Sequence, residues 1–547
     1  MKKILLIHPK SPETFWQLTG ALDITKRKAV VPPLGLATLA AITPDHYEVE
    51  IIDEEIEDID FDTPCDIVGI TGYTLHAHRM HEIANEFRKR GVLIVGGGPY
   101  CTVHKDECKD HFDVLVCGEV EFIWPQFLSE WEKGEHKNYY IETDKISLEA
   151  TPIPRWDLVK MEHYSGNMVQ TSRGCPYDCE FCDVVALFGR KMRYKSYDRI
   201  IEEISIIEQM GRRDLFLADD NFIGNKRFVK ELLHRLVEFN KTVKIPVRFM
   251  TQVTLNVAED EDLLDLFQEA NFYSFFIGIE SPSKESLIAT NKEHNARLDM
   301  VEAIRRIHAR GMFIVSGMIV GFDTDDMGIF EMQRKFLKET GLIIPMLGML
   351  TAPKGTKLWD RLESEGRLIP NLETGDMFAE TNFVPKLIKK EDLETNYLQL
   401  LQDVFRPAHF AEAFKSMIAQ VEVQKIKKDS SLARMMALSN FYPYALKVTF
   451  RLISYYLFSA GKAKRKLFFT VLKTAVKKSM LCFPLAIEGL LYFKALNGFV
   501  ESHKIDYFEP SLIQQTPSET IAVNTLVSEE QLEGHFAQQT NEKVVKH

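Results

Sequence analysis

The chain has 547 residues, 45% of them hydrophobic and 27% charged, with a net charge of −12. That length calls for three or four domains, and the hydrophobic share is ordinary for a globular protein. The negative balance argues against a general nucleic-acid binder, and eight cysteines are too few for a disulfide scaffold.

The opening MKKILLIHP holds an apolar run too short for a secretion signal and reads as a buried strand. Further apolar runs at 49–52 (interrupted by Glu50), 67–71, 92–95 and 114–117 are of the parallel-strand type. Helical patterns at 33–42, 76–89 and 121–132 separate them. Strict alternation predicts an α/β, doubly wound (Rossmann-like) domain over 1–140. Residues 141–165 are polar, carry Pro152 and Pro154, and read as a linker. A second series of strands follows at 168–171, 215–218, 247–251, 275–279, 313–320 and 345–350. With helices at 198–210, 226–239, 260–269 and 298–310 it predicts a partial (β/α)6 barrel over 166–368. A helical region is expected over 369–505 and a disordered tail over 506–547. No run of roughly 18 charge-poor apolar residues is read anywhere, so no spanning helix is expected. The expected location is the cytoplasm, at most peripheral to the inner face of the membrane.

Three cysteines crowd into TSRGCPYDCEFCDV as Cys175, Cys179 and Cys182. Thiolates are the ligands that iron–sulfur clusters and zinc favour. Three cysteines leave one iron of a 4Fe–4S cubane open to bind a cofactor or substrate. The spacing alone also admits a zinc site completed by a histidine such as His163, or unpaired buried thiols.

The CxxxCxxC pattern, with Phe181 before its last cysteine, resembles the radical AdoMet (S-adenosyl-L-methionine) superfamily over 166–368. That resemblance implies a 4Fe–4S cluster on Cys175, Cys179 and Cys182. The open iron would hold AdoMet, which is cleaved to a 5′-deoxyadenosyl radical. It also implies AdoMet contacts from Asp219 and Asp220 in LADDNF and from Glu280 in FIGIES. Gly317, Ile319 and Gly321 in GMIVGFDTD match the adenine-side element. Pro353 and Gly355 in LTAPKGTKL resemble the sixth-strand segment.

VVPPLGLATLAAI, VLIVGGGPYCT and VCGEVEFIWPQ resemble cobalamin-binding members of that superfamily, which places Gly97, Gly98, Gly118 and Glu119 at the border of a corrin. The GGG run lacks a dinucleotide fingerprint, which disfavours NAD. No DxHxxG string occurs, and His76, His78 and His104 read as solvated or capping, so cobalamin is expected without a histidine ligand. Methylthiotransferases share CxxxCxxC, but Cys65, Cys101, Cys108 and Cys117 do not match their second cluster.

CEFCDVVALFGRKMRYKS and DDNFIGN are most similar to the branch containing the hopanoid C-2 methylase, over about 1–410. This implies methylation of an unactivated carbon of a small molecule or lipid such as a hopanoid. The electrons would come from an external one-electron donor such as flavodoxin or ferredoxin. Cyclisation, rearrangement or oxidation are the enzymatic alternatives, and a non-catalytic iron–sulfur or cobalamin-binding protein the other. No catalytic acid or base is named. Between 425 and 494, Lys425, Lys427, Lys428, Arg434, Lys447, Arg451 and further lysines alternate with aromatic runs. These read either as amphipathic helices suited to an anionic membrane surface or as a helical cap with solvated lysines.

Overall fold

The computed structural model describes residues 1–12, 14, 17–370, 380–426 and 443–502. The tail expected at 506–547, and Lys427, Lys428 and Arg434, lie outside the described residues.

The apolar runs form strands that are buried on both faces within the sheet and partly exposed at its edges. β1 (Lys2–His8), β2 (Tyr47–Asp53), β3 (Ile67–Thr71), β4 (Leu93–Gly97), β5 (Val114–Cys117) and β6 (Tyr139–Ile141) make one sheet in the order β2-β1-β3-β4-β5-β6. Every pair is parallel. The chain leaves β1 first to one side and then to the other, so the crevice that such sheets offer a ligand lies at the ends of β1 and β3. β6 was not foreseen, because it is a three-residue edge strand with only Tyr140 buried.

Residues 141–165 are not a slack linker. Leu148, Trp156, Met161 and Tyr164 are buried, and Lys28 N donates to His163 O at 2.9 Å. The Tyr164 hydroxyl donates to Asp53 at 2.6 Å. These anchors stand singly in polar sequence and create no periodicity, so the pattern alone did not reveal them.

The second sheet begins with β7 (Met168–Val169). A two-residue hairpin follows, β8 (Ser172–Arg173) with β9 (Arg193–Tyr194), and then β10 (Asp214–Leu217), β11 (Arg248–Gln252), β12 (Phe272–Glu280), β13 (Phe313–Val320) and β14 (Ile344–Met349). The order is β14-β13-β12-β11-β10-β7, parallel throughout. This is an open six-stranded half-barrel whose helices pack outside. In the Lys226–Thr242 helix, for example, Val229, Leu232, Leu233, Leu236 and Val237 face the sheet, and the Asn225 side chain caps its start.

Helices Lys390–Val404, Pro407–Gln420, Pro443–Ser454, Lys462–Lys478 and Phe483–Ser502 complete the described chain. Met480–Glu501 corrects the expectation that no segment is long and apolar enough to cross a membrane: within its 22 residues an 18-residue window reaches mean hydropathy 1.3. Half of that window is buried in the protein, as in a core helix. Its Glu488 meets Arg248 at 2.5 Å, and Lys494 donates to Gly20 O and Asp23, both at 2.6 Å. The helix therefore ties the foot of the half-barrel to the start of the first domain. At that crossing a Cβ on Gly20 would lie 2.4 Å from Ala495 O, so only glycine fits.

Candidate active site

Parallel strands deliver their C-terminal ends to one rim, where barrel active sites form. The cysteine loop leaves β7 on that rim and is gripped from every side. Gly174 opens it with φ +99°, and a Cβ there would lie 2.8 Å from Lys191 O. Glu180 N donates to Thr290 O at 3.0 Å, while the Glu180 carboxylate pairs with Arg361 at 2.5 Å. Lys357 pairs with Asp178. Rigid support of this kind holds a ligand set ready before its metal arrives.

The two carboxylates after β10 perform different tasks. Asp219 is fully enclosed and accepts four hydrogen bonds, from Thr171 N at 2.7 Å, Ser172 N at 3.0 Å, Ser172 Oγ at 2.8 Å and the Thr171 hydroxyl. Four bonds saturate a carboxylate. Asp219 is therefore corrected from an AdoMet contact to the anchor of the cysteine loop. Asp220 spends one oxygen on Gly174 N at 2.7 Å. Burial, together with the charges of Asp219 and Asp183, raises its pKa to about 6. Asn221 follows, with Nδ2 3.9 Å from Cys175 Sγ and Oδ1 buried without a partner. An unpaired buried carbonyl beside a thiol suits a ligand bearing N–H or O–H groups.

Replacing Asp219 by alanine strands two backbone N–H groups and should cost about 2–6 kcal/mol. Asp219→Asn keeps an acceptor and should cost far less. Denaturant unfolding measures both. Loss of AdoMet affinity in Asp219→Asn at unchanged stability would instead restore a direct contact.

Glu280 ends β12 at φ +67°, where the β12–β13 register slips between Gly278 and Glu280. A bulge re-aims a side chain, and here it turns the carboxylate inward to Lys292 Nζ at 2.5 Å. Gly278 leaves room for this pair, since a Cβ would lie 2.2 Å from Glu280 Oε1 and the carboxylate would have to shift. Burial opposes the Lys292 ammonium, but Glu280 and the thiolates of Cys179 and Cys182 outweigh it and hold its pKa above the ordinary value. Burial pushes the three thiols up, Cys182 to about 12 with the help of Asp183. Lys292 is thus the buried cation that favours the thiolates a cluster requires.

Among the described residues, no three His, Cys, Asp or Glu side chains gather to hold a single ion. A cubane does not ask for that, because each cysteine takes a separate iron. The donor set of three thiols, a buried ammonium and an unpaired Asn221 carbonyl fits a 4Fe–4S cluster with AdoMet.

Gly317 lies against Glu280, a Cβ there coming within 3.6 Å of Oε2. Ile319 belongs to an apolar cluster with Phe322 and Leu350, on which Phe181 packs. Gly321, at φ +99°, makes the turn whose N–H donates to Asp325 at 2.9 Å.

The first domain meets this rim through charge. Glu119 pairs with Arg173 at 3.0 Å and Arg193 at 2.7 Å, and Glu121 with Arg173 at 2.8 Å, all on side chains no more than 11% exposed. Glu119 is therefore an interdomain staple through Oε2, while its buried Oε1 is without a partner. Gly118, with φ +96°, lets Glu142 O approach, since a Cβ would lie 2.4 Å from it. Cβ atoms on Gly97 and Gly98 would lie 3.2 Å from Val116 O and 2.1 Å from Thr71 Oγ1. Gly97 lies against β5, while Gly98 brings the turn after β4 against the end of β3, beside the crevice.

From that point Tyr73 projects, 57% exposed. Desolvation by the surrounding protein, with the charges of Asp183 and Asp220, raises its phenol pKa. His76 holds its backbone, accepting from Tyr73 N at 3.0 Å and meeting Ser11 Oγ at 3.0 Å. Burial, aided by His8, lowers its pKa to about 4, so it is a neutral capping histidine. Asn221, Gly278, Lys292, Arg173, Arg193 and Tyr73 were not singled out from sequence. Asn221, Gly278, Arg173 and Arg193 did stand inside recognisable strings.

Comparisons with known proteins agree with this geometry. A B12-binding domain matches residues 20–127, the radical SAM superfamily 169–336, and a domain of unknown function, DUF4070, 356–505. The chain is 34% identical to an uncharacterized methyltransferase of Synechocystis sp., over 80% of this chain and 82% of that one. It is 31% identical to the hopanoid C-2 methylase of Rhodopseudomonas palustris, over 67% and 71%. The cobalamin-dependent S-adenosylmethionine radical enzyme OxsB, solved with aqua-cobalamin and S-adenosylmethionine bound, shares the fold at TM-score 0.58 and 15% identity. That match covers 92% of this chain and 80% of OxsB. A cobalamin domain stapled to a half-barrel that carries a three-cysteine loop is thus shared with enzymes of one kind, and the chain belongs to the cobalamin-dependent radical SAM methyltransferases.

Proposed function

We propose that this enzyme methylates an unactivated carbon of a lipid of the hopanoid class. The observation that carries the reading is the 31% identity to the hopanoid C-2 methylase, which extends over 67% of the chain. When bound, the cluster, AdoMet and cobalamin supply radical initiation and methyl carriage. Overall, one C–H becomes C–CH3 while two AdoMet yield S-adenosylhomocysteine, methionine and 5′-deoxyadenosine. Two electrons enter singly from a donor of the flavodoxin or ferredoxin type.

The chain's own residues position this chemistry. Asp219 and Gly174 fix the cysteine loop, Lys292 balances the thiolates, and Glu280 and Asn221 offer polar atoms to AdoMet. The Glu119–Arg173–Arg193 staple holds the two cofactor domains together. Lipid extracts from cells with and without the protein test the substrate class by mass spectrometry. Loss of a lipid heavier by one CH2 unit per methyl is expected on deletion; unchanged hopanoids would overturn the assignment.

Tyr73, exposed just beyond the end of β3 beside the crevice, is the side chain we propose would face a bound corrin in this chain, which lacks the DxHxxG histidine. Electron paramagnetic resonance of bound cob(II)alamin checks this. Tyr73→His should introduce nitrogen splitting from the cobalt, and Tyr73→Phe should alter the spectrum without releasing the cofactor. Spectra identical to the parent in both variants would remove Tyr73 from the corrin face.

A further inference from the structure

We propose that the Pro443–Met480 segment docks the enzyme on an anionic lipid bilayer. Between 443 and 480 the chain has nine basic residues and no acidic one, within a protein of net charge −12. Among the described residues only Lys464 of these nine pairs with a carboxylate, Glu501 at 2.6 Å. A charge excess of that kind is left for an anionic partner.

The inner faces of these helices are fully used. Leu452, Tyr456, Leu467, Val471 and Ala475 are buried, and the Tyr456 hydroxyl donates to Leu490 O at 2.8 Å. Packing against the rest of the protein therefore accounts for one apolar face. It does not account for a second one. Leu446, Phe450, Phe458, Phe469, Val476 and Met480 are 43–80% exposed, six of the nineteen exposed large hydrophobics in the described residues. In the Lys462–Lys478 helix, Arg465, Phe469, Lys473 and Val476 recur at three- and four-residue spacing and so share one side. Cations and aromatics interleaved on an outer helical face match an interface where rings enter the acyl boundary and ammonium groups meet phosphates. A protein partner of ordinary composition would not need the whole segment to lack acid. The inference goes beyond the proposed substrate class and does not depend on it.

The test uses the full-length holoenzyme with vesicles of phosphatidylcholine, alone or mixed with phosphatidylglycerol, in co-sedimentation. Binding should be at least about tenfold stronger to the anionic vesicles and should weaken as salt rises. The triple variant Phe450→Ser/Phe458→Ser/Phe469→Ser should lose at least about tenfold in partition. Its AdoMet cleavage and melting temperature should be unchanged, because all three rings lie outside the core. Lys462, Arg465, Lys466 and Lys473 changed together to glutamine should lose the preference for anionic vesicles. Equal binding to both vesicle types, or no binding, would overturn the proposal. So would a parent dimer that the triple variant converts to monomer with unchanged vesicle binding, since the face would then belong to a second copy of the chain.

Discussion

Replacing Lys292 by methionine is expected to destabilise the folded protein by about 3–5 kcal/mol, the cost of leaving a buried charge without its partner. The stranded charge is Glu280, held inward by the slip between β12 and β13 and paired with Lys292 on side chains 10% and 8% exposed. Methionine keeps most of the volume, so the loss is electrostatic rather than a cavity effect. The double variant Lys292→Met/Glu280→Gln should recover most of the stability, since neither charge then remains alone. Denaturant unfolding of the single and double variants gives the coupling directly. The cluster supplies a second readout. Lys292 faces the thiolates of Cys179 and Cys182, and removing a nearby positive charge makes adding an electron harder. The cluster's reduction potential should therefore fall in Lys292→Met. An unchanged potential would show that the lysine serves Glu280 alone.

Changing any one of Cys175, Cys179 and Cys182 to alanine should reduce 5′-deoxyadenosine formation to background, the largest effect expected anywhere in the chain. The stability cost should be small. The thiols are only partly buried, and the loop is held by Asp219, Glu180–Arg361 and Gly174 rather than by the sulfurs. Cobalamin should still bind to these variants, because its domain rests on a separate sheet. Iron content, cobalamin absorbance and product formation, measured on the same samples, separate the three statements. A variant that keeps its cluster and its turnover would remove that cysteine from the ligand set.

The fold was legible where the physics is periodic. Runs such as 114–117 and 313–320 are apolar throughout because parallel strands are covered on both faces, and both became strands buried at every position. The cysteine loop was legible for a different reason: three thiols in eight residues have few other uses. What sequence left open was direction. Glu119 follows a strand at the ligand-binding edge, which is all that sequence shows. Whether its carboxylate turns to a corrin or to arginines fifty-four and seventy-four positions away depends on tertiary packing. Asp219 and Asp220 are adjacent, yet one is saturated and the other mostly free, and no local pattern distinguishes them. Lys292 lies outside every recognisable string, twelve residues after Glu280, and only the fold brings it to the thiols. The β8–β9 hairpin, two residues a side, is too short to carry any alternation.

The most direct measurement is product analysis of the anaerobically reconstituted protein, supplied with AdoMet, cobalamin, a low-potential reductant and a lipid extract containing hopanoids. Bound iron, 5′-deoxyadenosine and S-adenosylhomocysteine together are the result this structure predicts. Iron-free protein, or an iron-loaded protein that yields neither product, would contradict it.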